Sequence, residues 1–498
     1  MRSVPAVCLA VTVSLLLGAC TATPASTDRP RSGLTPSVSV SAFSPTPIPT
    51  STGPHHYRPG AETVHDPVFP ALGNGGYDAT HYAITIGYVP ATKTLTGDAV
   101  ITATAAQDLS RFTLDLRGLT VSSVTVNGAA ARFAQVGDKL RVTPAHGIDV
   151  GTRMSVHVVY GGVPKKYSDP SLGTEGFLPY SSDDAIAQGE PHVAAAWYPV
   201  NDTPADKATY DITVTAPSKL AALSNGVLLS RTTSGATTTW HWAERQPMAS
   251  YLATVVIGDY RVHTSTHNGL PVITAVDSAL SQQIDADLAE TPDIIDFLAT
   301  QFGPYPFDAE GGIVQNDPQV GFALENQSRP VYSAKFFVNP ASEEAQEVIA
   351  HELAHQWYGD SVSVADWSAI WLNEGFATYA QWLWRQHNGG ETPQQTFDDM
   401  YNGGKLPTDA PAVRTPSNEF NDSVYDRGAA TLEALRISVG DTAFFRIIRD
   451  WAAQRRYGNG STAQFEALAT SVSGKNLAPL FRAWLFTAGK PPYPKPLG

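Results

Sequence analysis

Cysteine is almost missing from this chain of 498 residues, which has only Cys8 and Cys20. Both stand near the N-terminus, so no disulfide framework holds the folded part together. Positive charge is also scarce: 33 lysines and arginines face 47 aspartates and glutamates, for a formal net charge of −14. A nucleic-acid partner would need a basic surface, so we expect none. The length exceeds what one hydrophobic core usually serves and predicts at least two domains.

A hydrophobic run long enough to cross a bilayer is missing too, because the apolar stretch at 6–17 has only 12 residues. With Met1 and Arg2 before it, the stretch predicts a signal peptide over residues 1–19. It ends in the sequence LGAC at 17–20, which resembles the lipobox of bacterial lipoproteins, where the cysteine carries a lipid. We therefore expect an extracytoplasmic protein anchored through Cys20 to the outer face of the bacterial cell membrane. Secretion after ordinary cleavage, with Cys20 incidental, is the alternative.

Composition and periodicity divide the remainder of the chain. Residues 20–56 are rich in proline, serine and threonine and predict a tether behind the lipidated cysteine. Residues 57–265 alternate apolar and polar side chains, as at 82–88, 95–104 and 154–160, which predicts an antiparallel β-sandwich or saddle. Residues 266–491 are mainly helical in period and form the second domain, and 492–498 are a tail. The fold class is therefore α+β and multidomain.

The helical part contains a candidate metal site. Helices are predicted at 282–302 with a break at 291–292, 342–357 with Ser342 as N-cap, 369–387, 428–439, 442–454, 462–472 and 477–486. The sequence HELAH at 351–355 places His351 and His355 on one helix face, one turn apart, with Glu352 beside them as a general base. Glu374 follows His355 after 18 residues, on the next helix. Its neighbours are mainly apolar, and a buried carboxylate needs a cation, so Glu374 is the predicted third zinc ligand.

These segments resemble the aminopeptidase N family of zinc metallopeptidases. The resemblance is carried by HELAHQWYGD at 351–360, WLNEGFATY at 371–379 and GFALEN at 321–326, the last similar to the family motif Gly-x-Met-Glu-Asn. It implies that Glu325 binds the free α-amine of a peptide, with Asn326 also at the substrate. Phe322 and Leu324 depart from the Gly and Met of the motif.

Two further segments extend the resemblance over residues 77–491. The sequence QGE at 188–190, followed by WYPVNDTPADKATY at 197–210, implies Glu190 as a second amine anchor. The sequence SVYDRG at 423–428 implies Tyr425 as the catalytic tyrosine, donating a hydrogen bond to the tetrahedral oxyanion. A solvated loop carboxylate and a packed core aromatic are the respective alternatives. Many family members continue into a large helical C-terminal domain, which we expect this chain to lack.

The resemblance implies an N-terminal β-saddle domain followed by a thermolysin-like catalytic domain. It also implies one Zn²⁺ per chain and peptide substrates, cleaved from the N-terminus by water that Glu352 deprotonates. Two alternatives stay open. One is a zinc endopeptidase, in which Glu190 and Glu325 are ordinary surface charges. The other is a lipid-anchored binding or scaffold protein with an inert metal site. The sequence leaves the oligomeric state open.

Overall fold

The computed structural model describes residues 55–497. The predicted signal peptide at 1–19, the lipid anchor Cys20 and the tether up to residue 54 lie outside the described residues. Within residues 55–497, no helix is both long and apolar enough to span a membrane.

The first domain is built from strands whose side chains alternate between buried and exposed. The strand Thr94–Ala105, for example, buries every second residue from Leu95 onward, which is the expected pattern for a sheet with one face on the core. The strands in chain order are β1 (Arg58–Pro59), β2 (Tyr77–Val89), β3 (Thr94–Ala105), β4 (Leu109–Asp115), β5 (Thr120–Val126), β6 (Ala129–Ala130), β7 (Arg132–Val136), β8 (Lys139–Thr143), β9 (Arg153–Gly162), β10 (Lys166–Asp169), β11 (Gly173–Pro179), β12 (Ala185–Gln188), β13 (Ala208–Pro217), β14 (Ala221–Ser224), β15 (Val227–Ser234), β16 (Thr237–Met248) and β17 (Val255–Gly258).

These strands form three sheets. The largest has eight strands in the order β15-β16-β13-β2-β3-β9-β5-β6, and it is accompanied by the sheets β1-β4-β8-β7 and β10-β11-β12-β17-β14. Most pairs are antiparallel, which confirms the predicted β-rich first domain. Two pairs are parallel, β13 with β2 and β1 with β4. Alternation alone does not reveal these exceptions, because pairing direction depends on the path of the chain between the strands.

The second domain combines a small sheet with helices. Its strands are β18 (Tyr260–His267), β19 (Leu270–Asp277), β20 (Glu310–Gln315), β21 (Val331–Ser333), β22 (Ser363–Val364) and β23 (Asn459–Gly460), of which the first four form one sheet. The domain boundary predicted between residues 265 and 266 falls inside β18, whose partner is β19. The change of sheet therefore occurs earlier, between β17 and β18.

The helices are α1 (Gln283–Ala289), α2 (Thr291–Phe302), α3 (Glu343–Ala354), α4 (Trp371–His387), α5 (Pro393–Asn402), α6 (Gly428–Val439), α7 (Asp441–Gln454), α8 (Thr462–Ser473) and α9 (Ala478–Phe481). Short 3₁₀ turns occupy Pro90–Thr92, Ala194–Ala196, Ser250–Leu252, Ala334–Phe337 and Trp367–Ala369, and π-helical turns occupy Ser423–Arg427 and Arg482–Phe486.

The helix predictions hold with three differences. The Ser342 hydroxyl accepts from the Ala345 N–H and caps α3, as predicted, but α3 ends at Ala354 instead of residue 357. The Gln356 and Trp357 N–H groups bond to carbonyls three residues back, which tightens the chain into a turn after the helix. Helix α5 and the two π-helical turns were not predicted. The break at 291–292 is confirmed as the boundary between α1 and α2.

Candidate active site

The predicted metal ligands converge between α3 and α4. His351 lies in the last turn of α3 and His355 directly follows its last residue, with ring centroids 4.9 Å from each other. Glu374, in the first turn of α4, places its Oε2 3.2 Å from His351 Nε2 and 3.5 Å from His355 Nε2. One ligand atom from each residue lies within 4.8 Å of the other two. Two imidazoles and a carboxylate are the donor set of a catalytic zinc site with an open position.

Hydrogen bonds behind the histidines fix which ring nitrogen faces the ligand cluster. His351 Nδ1 lies 3.0 Å from Gln381 Oε1, and His355 Nδ1 lies 3.0 Å from the Tyr358 carbonyl oxygen. Each Nδ1 therefore carries the proton and donates it, which leaves the lone pair of each Nε2 free to bind a metal ion beside the Glu374 carboxylate. This is the arrangement that a metal-binding histidine needs. The residues present fit Zn²⁺.

Close helix packing brings the third ligand to the site. Gly375 follows Glu374 directly and lies against Gly428 at the start of α6, where a Cβ on Gly375 would be 2.8 Å from the Gly428 carbonyl carbon. Only a residue without a side chain permits this backbone contact. The contact holds α4 against the segment that carries Tyr425, so a zinc ligand and the predicted catalytic tyrosine share one packing interface.

The predicted general base lies beside the metal ligands. Glu352 is 6% exposed, and it shares a cluster with Glu325 and His355 in which the ligating atoms are within 4.8 Å of each other. Burial raises the pKa of Glu352 to about 7, against the lowering influence of the two histidines. A bound divalent cation would favour the ionised carboxylate, which is the form that accepts a proton.

The two predicted amine anchors meet at the same cavity. Glu190 from the first domain and Glu325 from the second each lie with one carboxylate oxygen within 4.8 Å of the other and of Glu374. Both are buried, at 3% and 2% exposure, and the Tyr251 hydroxyl donates to Glu325 Oε1 at 2.9 Å. Burial raises the pKa of both carboxyl groups, and Glu325 raises that of Glu190 further. They are not the solvated surface charges that the endopeptidase alternative requires.

The Asn326 side chain contacts the first domain. Its side chain is fully buried, its Nδ2 donates to the Leu252 carbonyl oxygen at 3.0 Å, and it is not among the residues that line the cavity. Its role at the substrate therefore stays a prediction. Its contact joins the segment after Glu325 to the first domain, and so helps to orient Glu325.

Tyr425 lies in the π-helical turn Ser423–Arg427 and lines the cavity. Its ring stacks on that of His351, with a centroid distance of 6.1 Å and an interplanar angle of 28°. Burial raises the pKa of the Tyr425 phenol well above its usual value, with a further contribution from Glu374. The hydroxyl group therefore stays protonated and able to donate.

A buried arginine that was not predicted holds this turn in place. Arg427 has no exposed surface, and its five N–H groups donate to backbone carbonyls. Nε bonds to Trp484, Nη1 to Thr408 and Gly489, and Nη2 to Ala483 and Thr487, at 2.6–3.0 Å. Three of these carbonyls belong to the second π-helical turn or the residue after it. Burial lowers the pKa of Arg427 only to about 10, so the guanidinium stays charged.

The cavity itself has a volume of about 330 Å³. Apolar side chains form part of its wall: Leu172, Phe322, Leu324, Phe336 and Val348. Thr378 and Gln381, which the sequence analysis did not single out, also line it. They follow Glu374 by four and seven residues on α4, so the helical period was the signal that could have identified them.

A histidine pair on one helix, a glutamate from the next and a buried glutamate base define the site of a zinc metallopeptidase. Comparison with family models gives the family. The Peptidase M1 N-terminal domain matches residues 78–252, and the Peptidase family M1 domain matches residues 286–484. The chain belongs to peptidase family M1.

Solved and curated relatives agree with this assignment. The crystal structure of an M1 zinc metallopeptidase from Deinococcus radiodurans is 30% identical, with a TM-score of 0.81, and the match covers 88% of this chain and 99% of that one. A mutant of that protein bound to a Tyr-Ser-Ala substrate is similar at a TM-score of 0.80 and 29% identity, over 87% and 100% of the two chains. Aminopeptidase N of Streptomyces lividans is 28% identical over 76% of this chain. The chain spans only about 37% to 46% of the length of such curated relatives.

Proposed function

We propose that this protein is a zinc aminopeptidase that removes N-terminal residues from peptides. The observation that carries the proposal is the position of Glu190 and Glu325, two buried carboxylates from different domains beside the His351–His355–Glu374 cluster. A peptide's α-amine is largely cationic near neutral pH. Two carboxylates with little access to water would bind it and so place the first peptide bond over the metal ligands.

The chemistry divides among named residues. Bound at His351, His355 and Glu374, Zn²⁺ would polarise the scissile carbonyl and acidify a water molecule. Glu352 takes a proton from the attacking water and returns it to the leaving amine.

Other groups position the peptide and stabilise the developing charge. The Tyr425 hydroxyl donates to the oxyanion as the carbonyl carbon becomes tetrahedral. Glu190 and Glu325 hold the ammonium group, so only a chain end fits. The apolar wall excludes water from the reacting groups and strengthens these charge interactions.

The substrate class follows from the same pocket. The Deinococcus relative has been crystallised with a Tyr-Ser-Ala substrate, a short peptide. By extension, we propose that the present chain prefers peptides with a free α-amine. One catalytic zinc ion would serve each chain.

We also propose that the protein is exported and anchored to the outer face of the bacterial cell membrane by a lipid on Cys20. The support is the sequence LGAC at 17–20 after an apolar stretch of 12 residues, followed by a proline-rich segment. Such a tether would hold the catalytic body away from the membrane surface. Secretion without an anchor is the other outcome.

Glu352→Gln tests the proposed chemistry, because it removes the base and none of the zinc ligands. We expect one zinc per chain to be retained and turnover of an aminoacyl-arylamide to fall by at least about 100-fold. Glu344→Gln is the matched control, since Glu344 is an exposed acid on the same helix. Zinc content is measured together with kcat. Near-normal turnover in Glu352→Gln would refute the mechanism.

A further inference from the structure

A second set of buried carboxylates lies next to the zinc ligands. Glu190, Glu325 and Glu374 each offer one oxygen, and these three oxygens lie within 4.8 Å of one another. Exposure of the three residues is only 2–3%. This set shares Glu374 with the histidine cluster but contains no nitrogen donor, so it is chemically distinct from the zinc site.

Among the residues that line the cavity, the basic side chains facing this set are the two histidines of the zinc site. Glu190 Oε1 finds no hydrogen-bond partner among residues 55–497, although it is buried and faces the cavity. No lysine or arginine of that part of the chain lines the cavity. Glu374 would be neutralised by zinc, which leaves the charge of Glu190 and Glu325 to be balanced by protons or by a cation. In the substrate complex the peptide's ammonium supplies it.

We propose that, without substrate, the three carboxylates bind a hard divalent cation of the size of Ca²⁺, which competes with the peptide's amine. This proposal rests on the proposed function, since it assigns a regulator to the amine site. Oxygen-only donor sets suit hard cations, whereas the zinc site offers two imidazoles. Ca²⁺ accepts carboxylate oxygens at about 2.3–2.6 Å in flexible geometry, whereas Mg²⁺ demands a near-ideal octahedron and keeps most of its water molecules.

The expected kinetic effect is competition at the amine anchors. The cation and the ammonium group require the same oxygens of Glu190 and Glu325, so they cannot bind together. Sites of modest affinity have a Kd on the order of 1 mM, so calcium at about 10 mM should raise KM for a free-amine substrate about tenfold. The kcat should not change, because a substrate that binds has displaced the ion.

Binding is measured on the zinc-loaded full chain without substrate, by equilibrium dialysis against Ca²⁺ and metal analysis. We expect one calcium per chain in addition to the zinc, in wild type and in Asp426→Asn. Asp426 is the matched control because it lines the same cavity but is not part of the carboxylate set. Glu190→Gln and Glu325→Gln should each keep zinc and lose the calcium. Retained zinc also shows that the variant has folded.

Three results would overturn the proposal: no calcium bound at 10 mM, calcium retained in both Gln variants, or calcium that replaces the zinc. A fall in kcat at constant KM would equally contradict the competition. The outcome is separable from that of the proposed function, because dialysis involves no turnover. If calcium binds but free-amine and acetylated peptides are cleaved equally, the proposed aminopeptidase function is refuted and the proposed cation site is supported.

Discussion

The π-helical turn that carries Tyr425 depends on Arg427, and replacing this arginine by lysine should impair catalysis through the tyrosine. Arg427 donates five hydrogen bonds to carbonyls of segments 408, 483–487 and 489. A lysine ammonium has three donors, so at least two buried carbonyls would lose their partner. At about 1–3 kcal/mol each, the free energy of unfolding should fall by about 2–6 kcal/mol.

The catalytic effect follows from the position of the hydroxyl. A displacement of about 1 Å is enough to cost on the order of 100-fold in rate, and complete loss of an oxyanion donor costs about 100- to 1,000-fold. We expect Arg427→Lys to lower kcat by about 10- to 100-fold, with zinc content and KM little changed. Tyr425→Phe should lower kcat by about 100- to 1,000-fold.

A double-mutant cycle separates positioning from general damage. If Arg427 acts through Tyr425, then Arg427→Lys in the Tyr425→Phe background should reduce kcat by less than about threefold. Arg329→Lys is the control, because Arg329 is an equally buried arginine that bonds to carbonyls of Ile273, Ser224 and Gly226. Its effect should be equal in both backgrounds. The same loss for Arg427→Lys with and without the tyrosine hydroxyl would refute the reasoning.

Two further predictions concern the anchor and the first domain. Cys20→Ala should move the protein from the membrane pellet to the soluble fraction, and a variant that stays in the pellet would point to another anchor. Glu175 is fully buried and its carboxylate finds no hydrogen-bond partner among residues 55–497. Burial, and to a smaller extent the charge of Asp169, raises the pKa of Glu175 from 4.5 to about 8. The folded protein therefore holds a proton on Glu175 that the unfolded chain releases, and the free energy of unfolding falls as the pH rises from 4.5 to about 8. Glu175→Gln should remove this pH dependence of stability, and so raise Tm more at pH 8 than at pH 5. Equal Tm shifts at the two pH values would contradict the prediction.

The zinc ligands were predictable because their signal is local. Two histidines four residues apart need only a helix to share a face, and Ser342 already marked where that helix begins. Glu374 needed one more inference, that the next helix folds back. Helix α5 was missed although Thr392 and Gln395 form a capping box, because the segment is polar overall and has few large apolar side chains besides Phe397, Met400 and Tyr401.

The supporting contacts could not be predicted from the sequence. Arg427 bonds to carbonyls 56–62 residues away at the C-terminal end and 19 residues away in the other direction. No local pattern encodes such distances. The hydrogen bond from Asn326 to Leu252 of the other domain is a second contact of this kind, because the motif that contains Asn326 gives no sign of it. Residues within one helix are therefore assigned more securely than contacts between domains.

The central claim is that Glu190 and Glu325 recognise a free α-amine beside the zinc ligands. It is tested most directly by a pair of peptides that differ only by an N-acetyl group, assayed with wild type and with Glu325→Gln. Acetylation removes the charge that the two carboxylates bind, so the wild-type kcat/KM should fall by roughly two or more orders of magnitude. Glu325→Gln should remove most of that difference, mainly by slowing cleavage of the free-amine peptide. Equal wild-type rates on the two peptides would contradict the account and leave a zinc endopeptidase in its place.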